Sequence, residues 1–265
     1  MSLAALAGVI FGFGLFIISV LMSTDNVGTF LDLPSILMVL GGTTATAFMS
    51  YQHTYVIKGF KAVWWMLKKP KSTRESLNTE IMRLIKWAYL VQQKGLPALE
   101  NEIKSIKRDD QLVNYCLTMV TSGHKPEDLR AMLETAVEAE FERKTVPVTV
   151  LKMMGSASPA FGMLGTLIGL VVMLQNFGSD LELIGTGLSL ALITTLYGVI
   201  FARLVFLPAA MRLQQKEEIE RFRNYMIVEG LIMLAEKKGP RFMQDRLNSF
   251  LDPAIHFNID KQITR

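Results

Sequence analysis

Three threonines set the chemical question: Thr166, in "GMLGTLIGL", and the adjacent pair Thr194 and Thr195, in "LITTLYG". All three lie inside long apolar runs. A threonine hydroxyl carries one donor and two acceptor lone pairs, so several gathered together can offer oxygen ligands to a hard cation. Pro159 precedes Thr166 by seven residues in "SPAFGMLGT". It has no N–H for the carbonyl of Gly155, and its ring is expected to kink the helix there. Ser156, Ser158 or water can meet the freed carbonyl. Hydroxyls beside a proline kink are consistent with a cation path through the membrane. A plainer reading fits the same residues. Each threonine can bond back to its own helix, and Gly8 with Gly12, Gly41 with Gly42, and Gly162, Gly165 and Gly169 are what close helix packing uses. Spacing alone leaves both open.

An absence sharpens the question. The central parts of the apolar runs hold no Asp, Glu, Lys or His. Ion sites and proton relays inside membranes use an ionisable side chain, so a conducting version of this chain must borrow its carboxylate from a partner helix. No nucleophile–base pair and no metal-ligand set is visible. His53, His124 and His256 are scattered and Cys116 is single, so neither a disulfide nor enzymatic chemistry is expected.

The elements that would hold these residues follow from composition. Half of the 265 residues are hydrophobic and one fifth are charged. The apolar residues are concentrated in four runs, each near the ~20 residues that an α-helix needs to span a bilayer. The expected order is a first spanning helix at 1–22, an outer loop at 23–32 and a second span at 33–50. A largely helical cytoplasmic region follows at 51–152, then a third span at 153–177. An outer loop at 178–182, a fourth span at 183–207 and a helical cytoplasmic tail at 208–265 complete the chain. The fold class is an all-α membrane protein with a helical domain inserted between spans two and three. The first run lacks a basic leader and a small-residue cleavage site, so it is expected to be retained rather than removed as a signal.

Charge sets the orientation. Apart from Arg203, every Lys and Arg lies in Tyr51–Lys152 or Pro208–Arg265, which places those segments and both termini on the cytoplasmic side. The net charge of +4 reflects this topology; no nucleic-acid reader motif accompanies it. Arg203, close to Pro208, is expected to snorkel to the inner interface. Asp32, just before Pro34, suits an N-cap of the second span, and it can also attract ions at the outer mouth. "VIKGFKAVWWMLKKP" reads as a short interfacial helix, with tryptophans among lysines. A soluble helix is expected to start at Pro126, with Leu129, Met132, Leu133, Ala136 and Val137 on one face. The tail helix should end at Gly239-Pro240.

Several stretches resemble the MotA/PomA flagellar stator family, within the MotA/TolQ/ExbB group, and the likeness covers essentially the whole chain. "FLDLPSILMVLGG" is similar to that family's entry into its second span. "SGH" at 122–124 is similar to part of its cytoplasmic domain. "SPAFGMLGTLIGLVVMLQNF" with "LALITTLYGVIFARLVFLP" resembles its third and fourth spans, and "EGLIMLAEKKGPRFMQDRLNSFL" its tail. The resemblance implies a homopentamer around two copies of a B-type partner, MotB-like or PomB-like, each bringing one helix with an essential Asp. It implies residence in the bacterial inner membrane and rotation against the rotor protein FliG, driven by transported Na⁺ or H⁺ without any cofactor. Pro159 and Pro208 match the two prolines that couple ion binding to cytoplasmic movement. Thr166, Thr194 and Thr195 match hydroxyls of the sodium-type, PomA-like members, and Asp32 an outer acidic position. For rotor contact Glu100 matches the family Glu. The family Arg is Gln92 here, which leaves Lys94 as its substitute, with Lys86 also nearby. A solvated helical surface is the alternative for Glu100. An ExbB/TolQ-like energiser and a non-conducting membrane scaffold are the competing functions; the former is disfavoured by the extra charge-free hairpin of spans one and two.

Overall fold

Residues 3–65, 74–103, 110–178 and 181–259 are described by the computed structural model. Every regular element among them is helical. The chain divides into two units, Met1–Lys69 with Thr145–Gln215, and Pro70–Lys144 with Lys216–Arg265.

The first unit opens with α1 (Leu3–Ser23), an apolar helix of 21 residues. A 3₁₀ turn at Val27–Phe30 leads to α2 (Leu33–Ile36), whose start is fixed by Asp32. The Asp32 carboxylate accepts the Ser35 N–H at 2.9 Å and the Ser35 hydroxyl as well. Pro34 sits in the first turn, where no donor is required. A π-helical turn at Leu37–Gly41 then joins α2 to α3 (Gly42–Ser50), and after two residues α4 runs from His53 to Trp65. The segment read from the sequence as an interfacial helix is helical through Trp65; its lysine-rich end, 66–70, lies outside the described residues.

In the second unit α5 (Arg74–Lys94), the short α6 (Leu99–Ile103) and α7 (Gln111–Thr121) precede α8 (Pro126–Gln175). Pro126 starts that helix as expected. It then continues for 50 residues with Pro147 and Pro159 inside it, so the expected boundary at 152/153 falls within a helix. Leu129, Leu133 and Val137 are fully buried, but Met132 is exposed. The buried set repeats every four residues, a narrower stripe than the five-residue face expected.

The chain returns through α9 (Leu181–Ile200), a π-helical segment at Phe201–Phe206 and α10 (Leu207–Ala235). The wide turn has a local cause. Pro208 cannot donate a backbone hydrogen bond, and its ring crowds the carbonyl of Leu204. Leu207 N–H reaches back to Ala202 O, five residues earlier, and the widened turn absorbs the crowding. Arg203 lies in this segment and is exposed, as snorkelling requires. The helix ends earlier than expected. Lys237 takes the left-handed conformation (φ 55°) and Lys238 N–H bonds to Met233 O at 2.9 Å, a Schellman closure made without glycine. Gly239 instead precedes α11 (Pro240–Asn248) as its N-cap.

Among the described residues three helical runs are long and apolar enough to cross a membrane: Val27–Ser50, Pro126–Gln175 and Leu181–Ala235. The second unit instead carries the larger buried apolar cluster. Trp87, Leu84, Leu117, Leu133, Met226 and Leu231 are among its fully buried members.

Candidate functional site

The seam between α8 and α9 is where the threonines and Pro159 meet, and glycines determine how closely it closes. A Cβ on Gly169 would lie 2.6 Å from both Ala191 N and Gly187 O. One on Gly187 would lie 2.7 Å from Met173 N, and one on Gly162 3.0 Å from Thr194 O. Real Cβ atoms do not approach backbone as closely as at Gly169 and Gly187, so these two admit only a hydrogen; at Gly162 the neighbour would have to shift by a few tenths of an ångström. At the level of Pro159 the contact is again backbone on backbone: a Cβ on Gly198 would meet Ser158 O at 2.9 Å and Pro159 Cα at 3.1 Å. Gly155, one turn earlier, receives the side chain of Leu207, next to Pro208. Both prolines therefore border the same tightly closed helix pair.

The hydroxyls are arranged on this seam with different degrees of engagement. Thr194 is fully buried, packed on Gly165, and its hydroxyl bonds to Leu190 O (2.8 Å) and Ala191 O (3.0 Å) of its own helix. Thr195 reaches both ways, to Ala191 O at 3.3 Å and across the seam to Gly162 O at 3.4 Å. Both bonds are long, so that hydroxyl is the most weakly committed of the three. Thr166 is half-buried beside Gly165 and donates to Met163 O at 2.5 Å. The structure thus brings Thr194 and Thr195 against Gly165 and Gly162, while Thr166 occupies the adjoining face. Each hydroxyl spends its proton on a carbonyl, which turns oxygen lone pairs outward from the donor direction.

The serines expected to repair the Pro159 gap do something else. Ser156 donates to Met153 O at 2.8 Å, and buried Ser158 donates to Gly198 O at 3.1 Å across the seam. Ser158 is thus a link between the helices rather than a local patch. Two further residues contribute: Thr43, which the sequence shows beside Thr44 after Gly41 and Gly42, and Tyr197, which was not singled out. The Tyr197 hydroxyl donates to Phe30 O, and its ring stacks on Phe201 at 5.9 Å, which ties the loop before α2 to α9. The Thr43 hydroxyl is completely buried and finds no partner among the described residues. Tyr197 stood inside the quoted "LITTLYG"; an aromatic with a polar tip among apolar neighbours was the available signal.

Asp32 lies apart from the hydroxyl seam, committed to the cap of α2. Lys94 and Glu100 belong to the second unit. Lys94 ends α5, Gly95 turns the chain with φ 79°, and Glu100 opens α6. Both are exposed, as are Gln92 and Lys86. Elsewhere in the second unit charges are fixed by ion pairs. Arg223 bonds to Glu80 and Asp110, and Arg83 also meets Glu80 at 2.6 Å while lying over the Trp87 ring. Burial pushes the Asp110 carboxyl up, but the Arg223 guanidinium outweighs it and holds the group below its usual range. Glu229, between Arg130 and Arg246, is held down in the same way against its burial. Burial pushes the Cys116 thiol up to about 12, so it is a neutral core side chain. No group of three His, Cys, Asp or Glu able to hold a metal occurs among the described residues.

Comparison with known proteins decides the family. Residues 104–225 match the model of the MotA/TolQ/ExbB proton channel family. Motility protein A of Borreliella burgdorferi is 30% identical over 263 residues, covering 99% of each chain. The chain belongs to the MotA/TolQ/ExbB family. Chemotaxis protein PomA of Vibrio alginolyticus is 30% identical over 252 residues, 95% of this chain and 96% of that one. Motility protein A of Aquifex aeolicus is 31% identical over 246 residues, 92% of this chain and 94% of its own. The fold is that of the C. jejuni MotAB structure (TM-score 0.83, 22% identity, 96% of this chain and 97% of that chain). It is equally that of the Bacillus subtilis flagellar MotAB stator complex (TM-score 0.80, 24% identity, 98% of each chain). Family membership makes this a membrane protein, and its apolar helices accord with a multi-pass chain.

Proposed function

We propose that this chain is the ion-conducting, torque-generating A-subunit of a flagellar stator, working without covalent catalysis. The observation that carries the proposal is the α8–α9 seam: threonine hydroxyls line it, prolines border it, and among the described residues no Asp, Glu, Lys, Arg or His stands within it. Such a wall can hold and pass an ion only beside a carboxylate from another chain. A MotB-like or PomB-like subunit with one spanning helix and one Asp would supply it; the two solved relatives carry the name MotAB, and the Bacillus subtilis one is a flagellar MotAB stator complex. In this reading four helices span the inner membrane with both termini cytoplasmic. Five copies form a ring, and exposed Glu100 and Lys94 face the rotor protein FliG. Pro159 and Pro208, on one closed helix pair, pass the local change at the ion to the cytoplasmic unit.

Energetics allow it. One charge falling through 100 mV releases about 2.3 kcal/mol, whereas a hydrogen bond between membrane helices is worth roughly 0.6–2 kcal/mol. The weak, two-way bond of Thr195 is of the size that each passing ion can make and break. Na⁺ is the favoured ion because Thr166 and Thr194 both match the sodium-type members and clustered hydroxyls offer oxygen ligands to a hard cation; H⁺ is the second reading. Swimming speed measured against external Na⁺ at fixed pH tests the choice. A rising, saturating curve is expected, and a flat one overturns Na⁺ in favour of H⁺. Replacing Thr195 by Ala tests conduction against a purely packing role: the expected result is lost torque in a stator that still assembles, and unchanged torque would favour a scaffold.

A further inference from the structure

Helix α4 has one face used and one face bare. Val56 is fully buried, and a Cβ on Gly59 would meet Leu151, Val150 and the carbonyl of Pro147, all in α8 at 3.6–3.7 Å. The adjoining face presents Ile57, Phe60 and Trp64, with 43%, 38% and 78% of their surfaces exposed. These residues recur at helical spacing, so they form one stripe. Exposed Lys61 and Lys58 follow it on the side away from Val56 and Gly59, with Lys58 resting over the Tyr55 ring at 5.6 Å. Two residues separate α4 from α3, the end of an apolar run long enough to cross a bilayer. The chain from Leu33 to Arg74 contains no Asp or Glu, while six Lys and Arg lie between His53 and Arg74.

We propose that α4 is an anionic-lipid site: its apolar stripe enters the headgroup boundary of the bilayer, and Lys58 and Lys61 hold phosphate-bearing lipids of negative charge. Tryptophan among lysines beside a spanning helix is the chemistry of that boundary, and a basic amphipathic helix binds by buried apolar area plus attraction to anionic headgroups. The charge excess selects lipid of one sign, and continuity with the spanning helix supplies the bilayer. Through Gly59, lipid on this face bears on α8 at Pro147 and Leu151, twelve and eight residues before Pro159. Lipid charge is thereby placed to bias the helix that carries the hydroxyl seam.

The test uses the whole chain in nanodiscs of phosphatidylcholine containing phosphatidylglycerol, with one or the other lipid brominated. Bromine quenches tryptophan at short range; Trp87 is buried in the second unit, so Trp64→Phe/Trp65→Phe gives the background. Brominated phosphatidylglycerol is expected to quench more than brominated phosphatidylcholine at equal mole fraction. The relative association constant should fall about fivefold for each of Lys58→Gln and Lys61→Gln, since a basic residue near an anionic surface contributes about that factor. High salt should also lower it. Equal quenching by both lipids overturns anionic selectivity. Absent quenching overturns the lipid stripe altogether and indicates a protein on this face. The inference rests on the membrane placement used above but not on ion flow: a stator that fails to conduct can still show the lipid preference, and a chain that fails to insert overturns both.

Discussion

The two units of this protein are held by opposite means. Around Gly162, Gly169, Gly187 and Gly198 the first unit closes backbone on backbone, with threonine and serine hydroxyls sharing carbonyls. The second encloses a large apolar cluster and surrounds it with ion pairs such as Arg223 with Glu80 and Asp110. The proposed placement, first unit in the bilayer and second in water, accounts for the difference. In a bilayer, burying leucine against leucine gains little over lipid, so close van der Waals contact and hydrogen bonds must associate the helices. In water, burial of apolar surface drives folding, and paired charges can remain near the surface at modest cost. For the proposed function the consequence is that a seam built on contact geometry would respond to small displacements.

The largest effect should come from adding a single methyl group to the seam. Gly169→Ala forces Ala191 N and Gly187 O apart and is expected to cost about 2–3 kcal/mol, as overpacking does. Thermal unfolding of the detergent-purified chain, followed by near-UV circular dichroism, measures it. Gly8→Ala, where a Cβ would meet nothing within 4 Å, should cost less than about 0.5 kcal/mol. Equal effects at the two positions would abolish the distinction between closed and open glycines. Gly187 touches Gly169 across the same contact, so the double variant should cost less than the sum.

The second unit should give way next. Arg223→Met leaves Glu80 and Asp110 facing each other with Arg83 alone to balance them. Breaking a fully buried pair costs about 3–5 kcal/mol. Arg223 is 17% exposed at the side chain and Arg83 takes over part of its role, so about 2 kcal/mol is expected. Trp87 emission during urea unfolding reports it, because that ring lies in the core under Arg83. A loss as small as that of an exposed pair, below about 0.5 kcal/mol, would show that the ionic rim is decorative.

The contrast was partly legible beforehand. Apolar runs and the absence of Lys and Arg from the outer loops give the helices and their grouping, because both depend on composition. The choice between the two Gly-x-x-x-Gly pairs does not: Gly165–Gly169 is closed on α9, whereas Gly8 is open, and the spacing is identical. Which glycine faces a neighbour depends on helix rotation, which no local pattern records. The 50-residue α8 was also hidden, since Pro147 and the change from charged to apolar composition both look like an ending. Among site residues the back-bonding of Thr194 was foreseeable from threonine chemistry. The cross-seam bond of Ser158 was not, because it depends on Gly198, forty residues away.

Asp32 offers a smaller test that separates two roles at the membrane end of the first unit. As a cap it should tolerate Asn or Ser and lose about 1 kcal/mol in Asp32→Ala. As a charge that gathers cations it should fail equally with Asn, Ser and Ala. Swimming speed and thermal stability measured on the three variants give different orders under the two roles. The two bonds from Ser35 favour the first, so Asn and Ser are expected to swim as the parent does.

The smallest effect is expected at Glu217, where the second unit departs from its own rule. This residue is 96% buried in the sense that 4% of its surface is exposed, and Oε2 has no partner among the described residues. Burial pushes its carboxyl above the ordinary range; the bond from Lys216 pulls the other way but does not restore it. The sign follows. A carboxyl with a raised folded value favours the fold while protonated in both states, below the ordinary value of ~4.3, and opposes it as pH rises through the folded value. Asp110 and Glu229 run the other way: their stabilisation is present above ordinary carboxylate values and is lost on acidification. Glu217→Gln is therefore expected to raise stability near neutral pH by about 0.5 kcal/mol, with the gain vanishing near pH 4. Urea midpoints taken from pH 4 to pH 8 measure the difference. A variant less stable at every pH would mean that the Lys216 bond outweighs burial, and that even the exception in this unit obeys the ion-pair rule.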